Sequence, residues 1–433
     1  MKVCKFGGTS LASAPQINKA VEIIRADSAR QAVVLSAPGK RDSQDIKITD
    51  LLINCHREKT DGRDFKTTFG KIRERFLELV ELLQVDVPID AELTNILDQI
   101  DQGATLDFAE SRGEYLNGLI VSRLLGAEFV DAAEIIRLTA DGRVDPESYR
   151  LIEQRLAGAS GQFVVPGFYG SGPDGNIKSF SRGGSDITGA IVARGVKAEV
   201  YENWTDVSGI LQADPRIVPT ALPIAEITYA EIRELASCGA SVFHEEAIAP
   251  VRNVGIPINI KNTNRPEDTG TLILPERSLD KQPVVGVSGK QPYRILMVEK
   301  FMLNRFPELP GQIKEILAQQ GLFVEYDLKG FDTLALLVDN SDPFDEQAVC
   351  AKISAATAVD SCRFGIDVAL VGIIGAGLPT QTGLLGRMLS GLDQADIQVR
   401  SLSYGGSQMT VLLAVNLDDY VATLKTLVAS LQA

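Results

Sequence analysis

Six residues near the N-terminus, KFGGTS from Lys5 to Ser10, put a lysine, two glycines and two hydroxyls directly behind a short run of β-type residues. Glycines after a strand let backbone N–H groups close on an anion, and a lysine at the strand end supplies a mobile point charge for phosphate oxygens. The spacing matches neither GxxxxGKS/T nor GxGxxG, so a plain strand-turn stays open beside a phosphate-side loop. A second glycine turn stands in SRGGSDITGAIVARG, Ser181 to Gly195, where Ile187, Ala190, Ile191 and Val192 form an apolar run that Gly195 stops. Ser185 or Asp186 is expected to cap a helix there. The planar fork of Arg182, beside a glycine loop and an open helix N-terminus, suits a carboxylate or phosphate; capping alone is the alternative.

Two further stretches carry charge where chemistry could use it. In AESRGEYLNGLIVSRLL, Leu116, Leu119, Ile120 and Leu124 mark a helical stripe, and Glu110 and Glu114 lie one turn apart. ENWTDVSGILQADPRIV holds the only tryptophan, Trp204, with Asp206, Asp214 and Arg216 along turn-rich residues, and could clamp a nucleotide or turn a corner. His244 is one of two histidines; with no matching ligand cluster it reads as structural, and no metal site follows.

The elements that must position these residues read as βαβ units. Val3–Phe6, a helix near Ala14–Ile24 and the continuous apolar run QAVVLSA give parallel-sheet logic, and FVVPGFYG, EVYENWTD and IPINIKNT end in glycine or polar residues as crevice-lining strands do. The polar segment 54–71 is helical or loop and carries no readable signal. After LPERSLDKQPVVGVSG the pattern becomes strand, helix, strand, strand, helix, twice over, an internal repeat of about 70 residues. The first copy is expected to end in a strand at VDSCRFG and the second to begin at DVALVGIIG. The second copy lacks a last strand, and PVVGVSG is expected to cross over and complete it.

Composition narrows the class. The 433 residues are 45% hydrophobic and 23% charged, with a net charge of −14, which argues against nucleic acid and requires any anion to be held by a local cluster of cations and backbone N–H groups. Five scattered cysteines, without a CxxC pair, favour free thiols in a reducing compartment. No apolar run approaches the roughly 18 residues that span a bilayer, so no membrane is expected and the cytoplasm is the expected location.

Taken in order, KFGGTS, VVLSA, RGE, PGFYG, RGGSD, WTDVSGI, ADPR and the paired C-terminal modules resemble the aspartokinases through essentially the whole chain. The resemblance implies an α/β amino-acid-kinase fold, an open mostly parallel sheet between helices, over 1–280. Two α+β ACT-type, ferredoxin-like modules follow, over 281–364 and 365–433, with strand 283–289 completing the second. It implies MgATP-dependent phosphorylation of the β-carboxylate of aspartate, the first step towards lysine, threonine and methionine. It also implies feedback by an amino acid, lysine before threonine, and a homodimer or dimer of dimers through the ACT modules.

Carried over residue by residue, Lys5, Gly7, Gly8, Thr9 and Ser10 would serve the ATP phosphates, with Lys5 screening the phosphoryl group in flight and Asp186 holding the active-site lysine. Arg182 would fork onto the substrate α-carboxylate and Glu114 face its ammonium group, with Ser36, Thr49, Phe168 and Ser185 completing the pocket. Thr205, Asp206, Asp214 and Arg216 are implied for the nucleotide, while magnesium rides mainly on the phosphates. No general base is required, because a carboxylate is ionised at neutral pH. One departure matters: many aspartokinases carry a phosphate-side lysine where this chain has Ser241, and Lys261, at a predicted strand end, is expected to replace it. An effector is expected where the first repeat's strand meets its helix, at Asn304, Phe306, Pro307, Leu309 and Gly311, with Val324 and Glu325 on the next strand; a helix-start turn is the alternative. The competing functions are a non-catalytic amino-acid sensor with a decayed kinase domain and a kinase for another amino-acid carboxylate.

Overall fold

The computed structural model describes every residue except 182, 241–244, 281 and 433. The chain divides into two compact units: Met1–Ile210, Pro223–Tyr229 and Val242–Arg277 form one, and Leu211–Leu222, Ala230–Ser241 and Ser278–Ala433 the other. This differs from a single boundary at 280, because two short earlier segments group with the C-terminal unit. None of the described helices is long and apolar enough to cross a membrane.

The first unit is built on an eight-stranded sheet. Lys2–Phe6 lies at its centre, parallel to Arg30–Leu35 on one side and to Tyr201–Thr205 on the other; Phe163–Pro166 and Ile258–Asn262 extend the parallel run outward. Thr271–Leu274 is antiparallel to Ile258–Asn262. Both faces are covered, which is why the strands read as continuous apolar runs rather than alternating ones. Cys4, Phe6, Val33, Leu35 and Trp204 join one core with the helices Ala14–Arg25, Ile48–Thr60, Lys66–Leu83, Ile89–Asp101 and Leu106–Leu125. The helix Gly184–Gly195 packs on the sheet near Lys2–Phe6 and bonds to Lys5 on the opposite face.

Segment 54–71 proves to be the end of one helix, a turn, and the start of the next. Phe65, Phe69, Ile72 and Phe76 are buried at helical spacing, each stabilising the fold by roughly 1.5–3 kcal/mol. The apolar stripe is present in the sequence, but the polar residues between its members mask it.

The second unit is one six-stranded antiparallel sheet in the spatial order Val324–Lys329, Thr333–Asp339, Gly286–Glu299, Ser361–Ile374, Thr410–Asn416, Val399–Tyr404. Two expectations are corrected here. PVVGVSG and RILMVEK do not form separate strands but share the 14-residue strand Gly286–Glu299, and VDSCRFG runs on into DVALVGIIG as the 14-residue Ser361–Ile374. Register shifts between Lys290 and Tyr293 and between Arg294 and Leu296 absorb the expected breaks, since a bulge bends a strand without ending it. Gly286–Lys290 pairs with Ile374–Leu370, and Leu296–Glu299 with Phe364–Ser361, so each long strand serves both halves of the sheet. Helices Leu309–Gln319 and Glu346–Thr357 cover one half, and Leu384–Gln394 and Tyr420–Gln432 the other. The bare faces fold over one another around Tyr293, Leu337, Val368 and Leu370, bringing the Tyr326 hydroxyl of one edge strand to Ser403 of the other at 2.5 Å.

Candidate active site

Five parallel strands end level with one another: Phe6, Leu35, Pro166 and Trp204 are register partners, and Lys261 pairs with Trp204. The loops leaving these ends converge, as expected of an open α/β sheet. Lys5 lies one residue from its strand's end and is 6% exposed, and its Nζ stands 2.6 Å from the Asp186 carboxylate. Asn203, the register partner of Lys5, donates to the same Asp186 oxygen at 2.8 Å. Asp186 is thus engaged on both sides and does not cap its helix. The N-cap is Gly183, in the left-handed region at φ 62°, and Ser185 and Asp186 fall in the first turn, which corrects the capping expectation.

Behind Lys5 the chain turns at once. Gly7 donates to the Trp204 carbonyl at 3.0 Å, and Ser10 and Leu11 donate back to Gly7 and Gly8, closing a short 3-10 turn. A Cβ on Gly7 would lie 3.5 Å from the Lys5 ammonium, and one on Gly8 3.1 Å from the Ala37 carbonyl. The glycines therefore keep bare backbone beside the lysine. Thr9 is exposed, whereas Ser10 is buried and shares a 2.8 Å hydrogen bond with Thr263.

Ser36, Thr49, Glu114 and Phe168 come from four further segments, and Ser185 from the helix that carries Asp186. The Ser36 N–H donates to Phe6 and its carbonyl accepts from Asn117 at 2.8 Å; Thr49 stands in the first turn of Ile48–Thr60. Phe168 holds φ at 78°, a strained conformation for a bulky residue, and its N–H donates to Thr188. The strain follows from close packing, since a Cβ on Gly167 would lie 2.8 Å from Ser185 and one on Gly184 2.6 Å from the Phe168 ring. Glu114 lies at the middle of Leu106–Leu125, buried, with Oε2 unpartnered. Burial pushes its carboxyl up to about 8 against the N–H of Ala37, which favours the ionised form. A buried carboxyl with a vacant acceptor is a ready counterpart for a cation.

Other expected residues stand elsewhere. Arg182 and Ser241, with His244, lie outside the described residues. Thr205 ends its strand, with its hydroxyl 3.2 Å from Asp206. Asp214 and Arg216 fall in the second unit and pair with each other at 2.6 Å. Lys261 shares a sheet face with Phe6 and Trp204, opposite to Lys5, because successive strand residues alternate faces. Its Nζ sits 5.2 Å from the Trp204 ring centre and donates to the Asp268 carbonyl at 2.9 Å. The structure does not bring Lys261 to Lys5.

In the second unit Asn304, Phe306 and Pro307 line a groove of about 380 Å³, closed from the other side by Lys329, Gly330 and Phe331. Leu309 is buried in the core and Val324 packs against it, while Gly311 lies in the helix with open space at its Cα. Glu325 is the bulged residue of its strand and pairs with Lys290 at 2.9 Å, so it is not among the groove residues. Sequence reasoning missed Asn203 and Phe331. A polar residue inside a strand buried on both faces was a usable signal for the first; nothing local marked the second.

The Amino acid kinase family model matches residues 1–262, and an ACT domain model matches residues 371–431. Aspartokinase 3 of Bacillus subtilis is 33% identical over 96% of this chain and 95% of its own. The crystal structure of Clostridium acetobutylicum aspartate kinase superposes with a TM-score of 0.93 at 39% identity, covering 99% of both chains. Escherichia coli aspartokinase III, solved with lysine and aspartate, superposes with a TM-score of 0.79 at 25% identity over 100% of both chains, and its complex with aspartate and ADP with a TM-score of 0.74 at the same identity and coverage.

Proposed function

This chain belongs to the amino acid kinase family and, within it, to the aspartokinases, and we infer that Lys5 and Glu114 mark the two sides of the site at which it phosphorylates aspartate. The observation that carries the assignment is the presence of two buried groups: a lysine held by Asp186 beside bare glycine backbone, and a glutamate that has a vacant acceptor and is reached by the N–H of Ala37, just past a neighbouring strand end.

In this reading the β-carboxylate oxygen of aspartate attacks the γ-phosphorus of ATP as the bond to ADP breaks, and aspartyl phosphate forms. The nucleophile is already ionised at neutral pH, so no proton is removed. An anion attacks an anion, and the work left to the protein is positioning and charge screening. Lys5 supplies the cation, Asp186 and Asn203 fix its direction, and the Gly8 and Thr9 N–H groups, not engaged by the turn that Gly7, Ser10 and Leu11 close, cradle the phosphates. Glu114 receives the substrate ammonium while Arg182, carried over from the family pattern, forks onto the α-carboxylate. Magnesium in this reading rides on phosphate oxygens and water, where it would neutralise nucleotide charge.

We further propose a cytoplasmic homodimer serving lysine biosynthesis, inhibited by an amino acid in the groove of Asn304, Phe306 and Phe331. Lysine is favoured because it occupies the E. coli relative. Phe301 and Phe323, 68% and 72% exposed, support self-association through the first module. A coupled ADP-release assay tests the activity. Release should require aspartate, and hydroxylamine should trap the acyl phosphate as a hydroxamate; glutamate-dependent release, or none, would reject the reading.

A further inference from the structure

Arg75 belongs to no segment named so far for the reaction. It lies on the helix Lys66–Leu83, 4% exposed, and its guanidinium reaches oxygens from three other places in the chain. Its Nη atoms donate to the carbonyls of Ala12 at 3.3 Å, Ile46 at 3.1 Å and, in a shorter contact, Gly39, and stand 3.0 Å from the Asp45 carboxylate. None of these acceptors lies within a strand or helix. Burial works against the charge on Asp45, but hydrogen bonds from Arg41 and the charge of Arg75 outweigh it and hold the carboxyl at about 2. The pair is therefore ionised at neutral pH.

Each acceptor adjoins a part of the proposed site. Ala12 closes the turn that Gly7 to Ser10 begin. Gly39 donates to the Gly8 carbonyl at 2.8 Å, and a Cβ on it would lie 2.5 Å from the Gly8 carbonyl carbon, so its backbone is the wall on which the glycine loop rests. The same 36–39 segment carries Ser36 and the Ala37 N–H that reaches Glu114. Asp45 and Ile46 lead into the helix whose first turn carries Thr49.

We propose that Arg75 is a positioning residue for phosphoryl transfer: one buried guanidinium sets the phosphate-side glycine loop and the aspartate-side segments at a fixed separation, without touching either substrate. The proposal rests on the reading of Lys5–Ser10 as the phosphate side. Lysine could not replace it, because a single ammonium cannot present a planar fork to acceptors on three segments.

The test begins with wild-type enzyme. Absence of aspartate-dependent ADP release there would overturn the reading of the loop itself. With that activity in hand, Arg75→Met keeps an apolar side chain of similar length and removes the donors. It should lower kcat about 10²-fold, the usual cost of misplacing reacting groups by about an ångström. Adenosine affinity, measured by calorimetry, should stay within about threefold of wild type, because adenosine carries no phosphate to meet a displaced glycine loop. A folded variant with kcat within about threefold of wild type overturns the proposal. A fall in adenosine affinity as large as the fall in kcat overturns it too, being the pattern of a loosened fold. If an Asp45 carboxylate left with Arg41 alone prevents folding, Asp45→Asn combined with Arg75→Met removes that charge, and the same two criteria apply.

Discussion

Burial leaves the Glu114 carboxyl protonated up to about 8, whereas the unfolded chain releases that proton near the ordinary value of about 4.3. The folded state therefore holds the extra proton between these limits, and the stability linked to it is full below the lower value and is lost as pH rises through the upper one. Between about pH 5 and 8 the thermal midpoint of the wild type should fall relative to Glu114→Gln, and saturating aspartate, bringing an ammonium to the carboxylate, should narrow the gap. Parallel melting curves with and without aspartate would remove Glu114 from the pocket. The same variant should raise the aspartate KM by about 10- to 100-fold, the range for a lost charged hydrogen bond. Lys261 leads to the opposite expectation. With its ammonium over Trp204 on the far face of the sheet, Lys261→Met should leave kcat within about twofold and cost roughly 0.5–1 kcal/mol of stability. A severe loss of kcat, measured beside an unchanged melting temperature, would return a phosphate-side role to this lysine.

The strand ends were legible because glycine and polar residues interrupt largely apolar strands, and KFGGTS and FVVPGFYG do stand at such ends. What could not be read was set by tertiary partners. Asp186 looks like a helix cap until Lys5 and Asn203, distant in sequence, claim its carboxylate. Asp214 and Arg216 follow the WTD strand closely in sequence, yet their segment groups with the other compact unit. Breaks drawn at Pro292 and Gly365 were bulges and bends, which sequence periodicity cannot tell from strand ends. The groove in the second unit shows the same limit, since three of its eight lining residues, Lys329, Gly330 and Phe331, come from a strand end and turn that no helix-start signal announces. Phe331 is 84% exposed, so Phe331→Ala should barely alter folding but weaken amino-acid inhibition by about tenfold, the effect of losing one aromatic wall. Inhibition curves that superpose on the wild type would move the effector elsewhere.

At the scale of the whole regulatory unit, the strands Gly286–Glu299 and Ser361–Ile374 each continue from one half of the sheet into the other. The core under Leu309–Gln319 and Glu346–Thr357 lies within the first half, but the patch of Tyr293 and Leu337 is shared with Val368, Leu370 and Ala414: a chain ending at Gly365 would lose the partner of Gly286–Lys290 and bare that patch. Such a truncation should be insoluble or digested by trypsin at many sites, whereas the intact chain should resist cleavage between residues 361 and 374. A soluble, cooperatively melting fragment would show the halves to be independent. The two halves repeat one pattern of elements, yet the repeat is no longer separable. Deleting either copy unpairs part of a long strand and bares the patch the halves share, so recombination can exchange this regulatory cassette only as a pair. Loss of one copy is closed as an evolutionary path, and divergence between the copies, in which one keeps a groove and the other relinquishes it, is the path left open.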